Sequence, residues 1–333
     1  MNKSGQKRFV SIFIDKIERI KKDKIYLIEN LLNNIISNYD IPSSYSEALR
    51  TEVQSYKDLS CAEKNIRDLP NFQRKDNIVK AKNNGAGCFF RLYYRGISNS
   101  SYSDVSAIYR NNSNSVREFI IQNKVVAACP QNFTFDAIDN LIKLQHYGCP
   151  TQLLDVTENP LIALYFASKG NTRNNGMVNV YAISDRQLKF TNSSIIKNIA
   201  QLSSLGQKIE VLRNISSTSK DEAVSMLNQA FENNALTPLF NKGIFDSYFF
   251  IPQKNNARII KQEGAFIING LFSSENEAEE SVKKFKIATI EIPSKQKKDI
   301  LDELSNLGIN EITLFPDLEN VINEYKRELD III

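Results

Sequence analysis

Between Gln145 and Thr157 the chain concentrates the residue types that acid–base and ligand chemistry need. The segment reads Gln145-His146-Tyr147-Gly148-Cys149-Pro150-Thr151-Gln152-Leu153-Leu154-Asp155-Val156-Thr157. His146 is the single histidine among 333 residues, so a catalytic imidazole must be this one, and sites built from several histidines are excluded. A helix end before Gly148 would set partial negative charge beside the ring and favour its protonated form. Thr151, Asp155 and Thr157 surround a short strand end, an edge where ligand-facing groups often sit. In a functional reading Asp155 would orient His146. The same two residues would equally pin the turn by bonding each other or nearby backbone.

Further along, Arg258 and Gln262 are four apart, so on a helix they share one face and could reach a common ligand. Gln262 could equally cap the strand that follows. Tyr93 and Tyr94 alternate across a strand, which sends one to the core and leaves the other able to stack on a ring. The four cysteines, Cys61, Cys88, Cys129 and Cys149, include no C-x-x-C pair, and read as reduced, buried thiols rather than a zinc ribbon or redox pair. No metal-ligand spacing, phosphate-cradling glycine loop or G-x-S-x-G elbow is present.

These groups need a scaffold, and the composition provides one: 42% apolar and 24% charged residues suit a globular chain with a substantial core. The net charge of +4 hides an excess of base over residues 1–270 and of acid over 271–333. It permits an anionic ligand or RNA without demanding either. The basic run Lys16 to Lys24 alternates with acids and reads as a solvated helix face. The apolar run Phe9 to Ile14 follows Lys3, Lys7 and Arg8 but stops at Asp15, too soon for a signal-peptide core. No later stretch approaches a membrane span, so the expectation is a cytoplasmic protein with no membrane partner.

Apolar residues at helical spacing from Val10 to Ile36, and a second helix from Ser46 to about Leu59, predict a helical N-terminal lobe over about 1–80. A polar connection over 70–87 leads to a strand, Cys88 to Arg95, stopped by Gly96. Helices are expected near 113–127 and from Phe133 to Tyr147, with Gly148 as a left-handed cap. Leu153-Leu154 forms a brief strand, and Asn159-Pro160 opens an apolar helix through Ala167. Strands at Met177–Ile183, Tyr248–Ile251, Ala265–Ile268 and Ile287–Ile292 alternate with helices to the end of the chain. The fold class is α+β: a small mixed or antiparallel sheet with flanking helices over 85–333, preceded by the helical lobe.

The ordered set Phe90-Arg91-Leu92-Tyr93-Tyr94-Arg95-Gly96, then Gln145-His146-Tyr147-Gly148-x-Pro150-Thr151-x-Leu153-Leu154-Asp155-x-Thr157-x-Asn159-Pro160-x-x-Ala163-Leu164-x-Phe166-Ala167, resembles the bacterial FRG-domain family. Arg258-Ile259-x-x-x-Gln262-x-Gly264-x-Phe266 and Leu314-Phe315-Pro316-Asp317-Leu318 extend the likeness over about 88–325. The chain departs in Tyr94 where Phe is usual and Val156 where an aromatic is common. The family's layout in turn resembles that of ADP-ribosyltransferases. That resemblance implies Arg95 gripping the phosphates of NAD, with Tyr94 and Gly96 beside it. It implies His146, Thr151, Asp155 and Thr157 at the nicotinamide or ribose, and Arg258 on the nucleotide. Gln262 or Glu263 would act at the ribose.

The expected function is therefore an ADP-ribosyltransferase-like toxin or phage-defence effector. It would use NAD as a substrate and modify RNA or protein, with an antitoxin or chaperone as a partner of the N-terminal region. The alternative is a non-catalytic nucleotide- or polyanion-binding module serving as sensor or adaptor. Nuclease chemistry on His146 and Asp155 is disfavoured, because one imidazole lacks a second acid–base partner.

Overall fold

The computed structural model describes residues 9–22, 78–79, 90–110, 114–184, 187–202, 219–231 and 240–329. The helix expected over Ser46–Leu59, the continuation of the first helix past Lys22 and the domain boundary near residue 80 lie outside them. The chain forms two compact units. One comprises Met1–Ser100, Glu158–Arg186 and Ile287–Ile333; the other comprises Ser101–Thr157 and Gln187–Lys286. The fold is α+β, and no helix among the described residues is long and apolar enough to cross a membrane.

In the first unit, β1 (Ile78–Val79) pairs antiparallel with the start of β2 (Phe90–Ile97), and β2 pairs antiparallel with β4 (Gly176–Ser184). β8 (Lys286–Ile292) follows β4 in strand order. Gly96 was expected to stop β2, yet the strand runs through it to Ile97. The reason is steric. A Cβ on Gly96 would overlap the Ala163 carbonyl oxygen and the Ala167 nitrogen of α4 (Pro160–Ser168). The glycine lets strand and helix backbones touch, and Ala163 and Ala167 are small for the same reason.

Asn159 caps α4 through a 3.0 Å bond from the Leu161 N–H, with Pro160 in the first turn, as the sequence predicts. Around α4 the core gathers Leu92, Tyr94, Val178, Val180, Ile290, Ile300 and Leu304. Val10, Phe13 and Ile17 of α1 (Phe9–Lys22) join the same core, and Glu303 accepts from the Phe9 and Val10 N–H groups at the start of that helix.

In the second unit the strand order is β5 (Lys189–Phe190), β6 (Ser247–Ile251), β7 (Gly264–Asn269), β3 (Leu153–Thr157). The pairings β6–β7 and β7–β3 are antiparallel, and β5–β6 is parallel, so the sheet is mixed. Its strands alternate faces. Leu153, Phe250, Phe266 and Ile268 pack against α3 (Ala137–His146) and α5 (Ser194–Leu202) through Ile138, Leu141, Ile196 and Ile199. The strand expected as Leu153-Leu154 extends to Thr157, because its whole length pairs with β7, from Leu153 opposite Ile268 to Thr157 opposite Gly264. Between Asp136, which caps it, and His146, α3 is shorter than the expected Phe133–Tyr147.

Candidate active site

The end of α3 is a two-bond Schellman cap. The Cys149 N–H bonds the Leu144 carbonyl and the Gly148 N–H bonds the Gln145 carbonyl, with Gly148 left-handed at φ 79°. This turn sends the last two side chains of the helix towards different partners. Gln145 Nε2 donates to Asp155 Oδ2 at 2.8 Å, while Gln145 Oε1 accepts from Thr151 Oγ1 at 2.5 Å. Thr151 Oγ1 also accepts from the Leu153 N–H at 3.0 Å. Buried Thr151 therefore sets the Gln145 amide, which in turn steadies the exposed Asp155 carboxylate on β3.

His146 meets Asn256 instead. Asn256 Oδ1 accepts from the Arg258 N–H at 2.8 Å, capping the short helix α7 (Ala257–Lys261 in sequence), so its Nδ2 faces the imidazole Nδ1 at 3.3 Å. An amide N–H can only donate, so in this pairing Nδ1 is the acceptor. The cation at the end of α3 is supplied by Arg258, whose Nη1 donates to the His146 carbonyl at 2.8 Å. The ring thus meets Asn256 at Nδ1, while the Asp155 carboxylate accepts from Gln145.

At the other end of β3, Thr157 Oγ1 donates to the Gln262 carbonyl at 2.7 Å. Gln262 caps α7, and its backbone N–H bonds the Arg258 carbonyl. Glu263 follows with φ 47°, the left-handed region, and is the non-glycine residue in that region among those described. Thr157 lies opposite Gly264 in the strand pairing, so Thr157 and the exposed Glu263 sit at one end of the β3–β7 pair. Gln262 enters this corner through its main chain. Of the two residues left open by the sequence, Glu263 presents its side chain to solvent.

His146, Thr151, Asp155, Thr157, Arg258, Gln262 and Glu263 thus all belong to the second unit, brought together by α3, β3 and the α7–β7 step. Tyr94, Arg95 and Gly96 belong to the first. Tyr94 is a core residue beside Leu92 and Val180, and burial pushes its phenol well above the ordinary tyrosine range, with the Glu18 charge adding to it. This corrects its assignment as a ligand-binding side chain. Gly96 owes its identity to the close approach of α4. Arg95 is half-buried on β2, opposite Asn179.

Asn256 was missed, although an Asn two residues before Arg258 is a helix-cap signal. Gln145 works through its side-chain amide, a role that nothing in the motif's spacing signals. The half-buried Cys149 beside the turn is free, and burial raises its thiol pKa, which makes it a poor nucleophile.

Residues 91–176 match the family model of the FRG domain. The matched span takes in Arg95 and the block from Gln145 to Thr157 but stops before Arg258, Gln262 and Glu263, a narrower stretch than the resemblance read over 88–325. No curated protein and no solved structure matches the chain.

Proposed function

We propose that the chain is an ADP-ribosyltransferase-like toxin or defence effector that moves ADP-ribose from NAD to RNA or protein. The observation that supports this reading is the corner formed by Thr157 and the Gln262–Glu263 step. A strand-end threonine is bonded to the residue before an exposed glutamate, whose backbone is left-handed. Non-glycine residues held in that region cluster at functional sites, where surrounding structure over-determines them.

The chemistry then divides among this chain's own groups. Arg95 would clamp the pyrophosphate with its planar fork. His146 would offer its Nε2–H to the nicotinamide or ribose. Glu263 would accept from the ribose 2′-hydroxyl and stabilise positive charge at C1′ as the bond to nicotinamide breaks. A nucleophile on the target would take the C1′ position and release its proton, while nicotinamide leaves.

Incubation with labelled NAD and a mixture of RNA and protein tests the reading. Wild type is expected to label a macromolecule, and Arg95→Ala and Glu263→Gln to lose about 100-fold or more in rate. Gln262→Ala, which keeps the backbone carbonyl used by Thr157, should retain most of it. Equal labelling by wild type and both first variants would overturn the assignment. Calorimetric binding with NAD recovered intact after long incubation would instead support the non-catalytic sensor or adaptor.

A further inference from the structure

The last helix of the first unit, α11 (Leu318–Glu328 in sequence), carries an apolar stripe turned to solvent. Leu318, Ile322 and Tyr325, and Leu329 at its C-cap, are 75%, 42%, 50% and 68% exposed. Their spacings of four, three and four residues are those of a coiled-coil seam, with Leu318 and Tyr325 at d and Ile322 and Leu329 at a. Val321 and Glu324 on the other side are half-buried, and the helix packs on α10 (Glu311–Leu314).

The charges beside the stripe say what fits it. On this heptad, Glu319 and Lys326 occupy the two e positions, and neither makes an ion pair or side-chain hydrogen bond among the described residues. In an antiparallel pair of identical helices, e positions face e positions, so Glu319 of one copy meets Lys326 of the other, twice about the two-fold axis. In a parallel pair, Lys326 would face Val321 and the complementarity is lost. An isologous contact needs a self-complementary patch of this kind.

We propose that the α11 stripe pairs with the same stripe of a second copy of this chain as an antiparallel two-helix seam. Three helical turns give an interface at the small end of the specific range, so dissociation constants on the order of micromolar are expected. The helix is already formed on its unit, which removes the nucleation cost an isolated two-heptad peptide would carry.

Sedimentation of the full chain from about 1 to 200 µM tests this at the concentrations set by that expectation. Wild type should move from monomer to dimer. Ile322→Glu should stay monomeric across the range while its circular-dichroism melt is unchanged, since the residue is partly exposed on the outer face. Glu319→Lys and Lys326→Glu should each weaken dimerisation about tenfold, and the double exchange should restore it to within about threefold of wild type. A wild type monomeric at every concentration would overturn the proposal, as would a dimer insensitive to Ile322→Glu. Failure of the double exchange to rescue would also overturn it. That last result would point to the stripe being covered by another segment of the chain or by a different partner.

Discussion

At the scale of single residues, the block around His146 divides into side chains that hold the turn and side chains that face outward. Thr151 and Gln145 belong to the first group, Asp155 and Glu263 to the second. Gln152 fits neither. It is fully buried, and neither end of its side-chain amide has a hydrogen-bond partner among the described residues, while its backbone carbonyl accepts from the Asn269 N–H at 2.9 Å. Leaving such a group dry costs about 1–3 kcal/mol, and an apolar side chain of similar shape avoids that cost. Gln152→Met is therefore expected to be more stable than wild type by about 1–2 kcal/mol, read as a rise in urea midpoint with unchanged slope. A loss of stability on this exchange would mean that the amide is satisfied in solution by a bound water or ligand. The types of these residues were readable from the sequence, and so was their nearness in the chain. Their pairing was not. Whether His146 meets Asp155 or Asn256 depends on a helix cap 110 residues away, a separation no local spacing encodes.

At the scale of elements, close backbone approach explains part of the motif that looked chemical. Gly96, Ala163 and Ala167 are the contact between β2 and α4, so the glycine after Arg95 is a packing requirement. Gly96→Ala should cost about 3 kcal/mol or more, because the clash is with backbone atoms that cannot rotate away. The melting temperature of the purified variant checks this, and near-wild-type stability would show that the two elements can separate freely. The same helix ends in a polar clamp. Lys169 Nζ and the Tyr165 hydroxyl both bond Glu311, and Lys169 lies 4.6 Å from the centroid of the Phe315 ring. Burial pushes Glu311 up, but the hydrogen bonds from Lys169 and Tyr165, with the charges of Lys169 and Arg327, outweigh it and hold the carboxyl below the usual glutamate range. A carboxylate depressed on folding adds stability that is present above its unfolded pKa and lost as pH falls through the folded value. Denaturant midpoints should therefore fall as the pH drops below about 4.5 in wild type, and fall less in Glu311→Gln. Because Lys169 is partly exposed, the difference is about 1 kcal/mol. Capping and periodicity made α4, β4, β7 and the last helices legible within a few residues. Element ends slipped where tertiary pairing carried a strand further than its local pattern, as in β2 through Gly96 and β3 to Thr157.

At the scale of the whole molecule, the chain leaves and re-enters each of its two units, so neither is a continuous stretch of sequence. A reading along the chain places a boundary near residue 80 because the composition changes there, yet it cannot see that a helix before the boundary completes a core built after it. Val10, Phe13 and Ile17 are buried in the core that holds β2, β4 and α4, and Glu303 of α9 (Lys297–Asn306) fixes the start of their helix. Removing α1 would uncover the apolar surface those three side chains cover. At about 1.5–3 kcal/mol for each buried side chain, the loss is on the order of 5 kcal/mol, comparable with the whole stability of an ordinary domain. A fragment of residues 85–333 is accordingly expected to be insoluble or to melt far below the full chain. Phe13→Ala in the intact chain isolates the effect from the rest of the deletion and should cost about 3–5 kcal/mol. If the fragment and the full chain unfold at the same temperature, and Phe13→Ala is neutral, the helix contributes nothing to the unit. The N-terminal region would then be free to serve a partner instead.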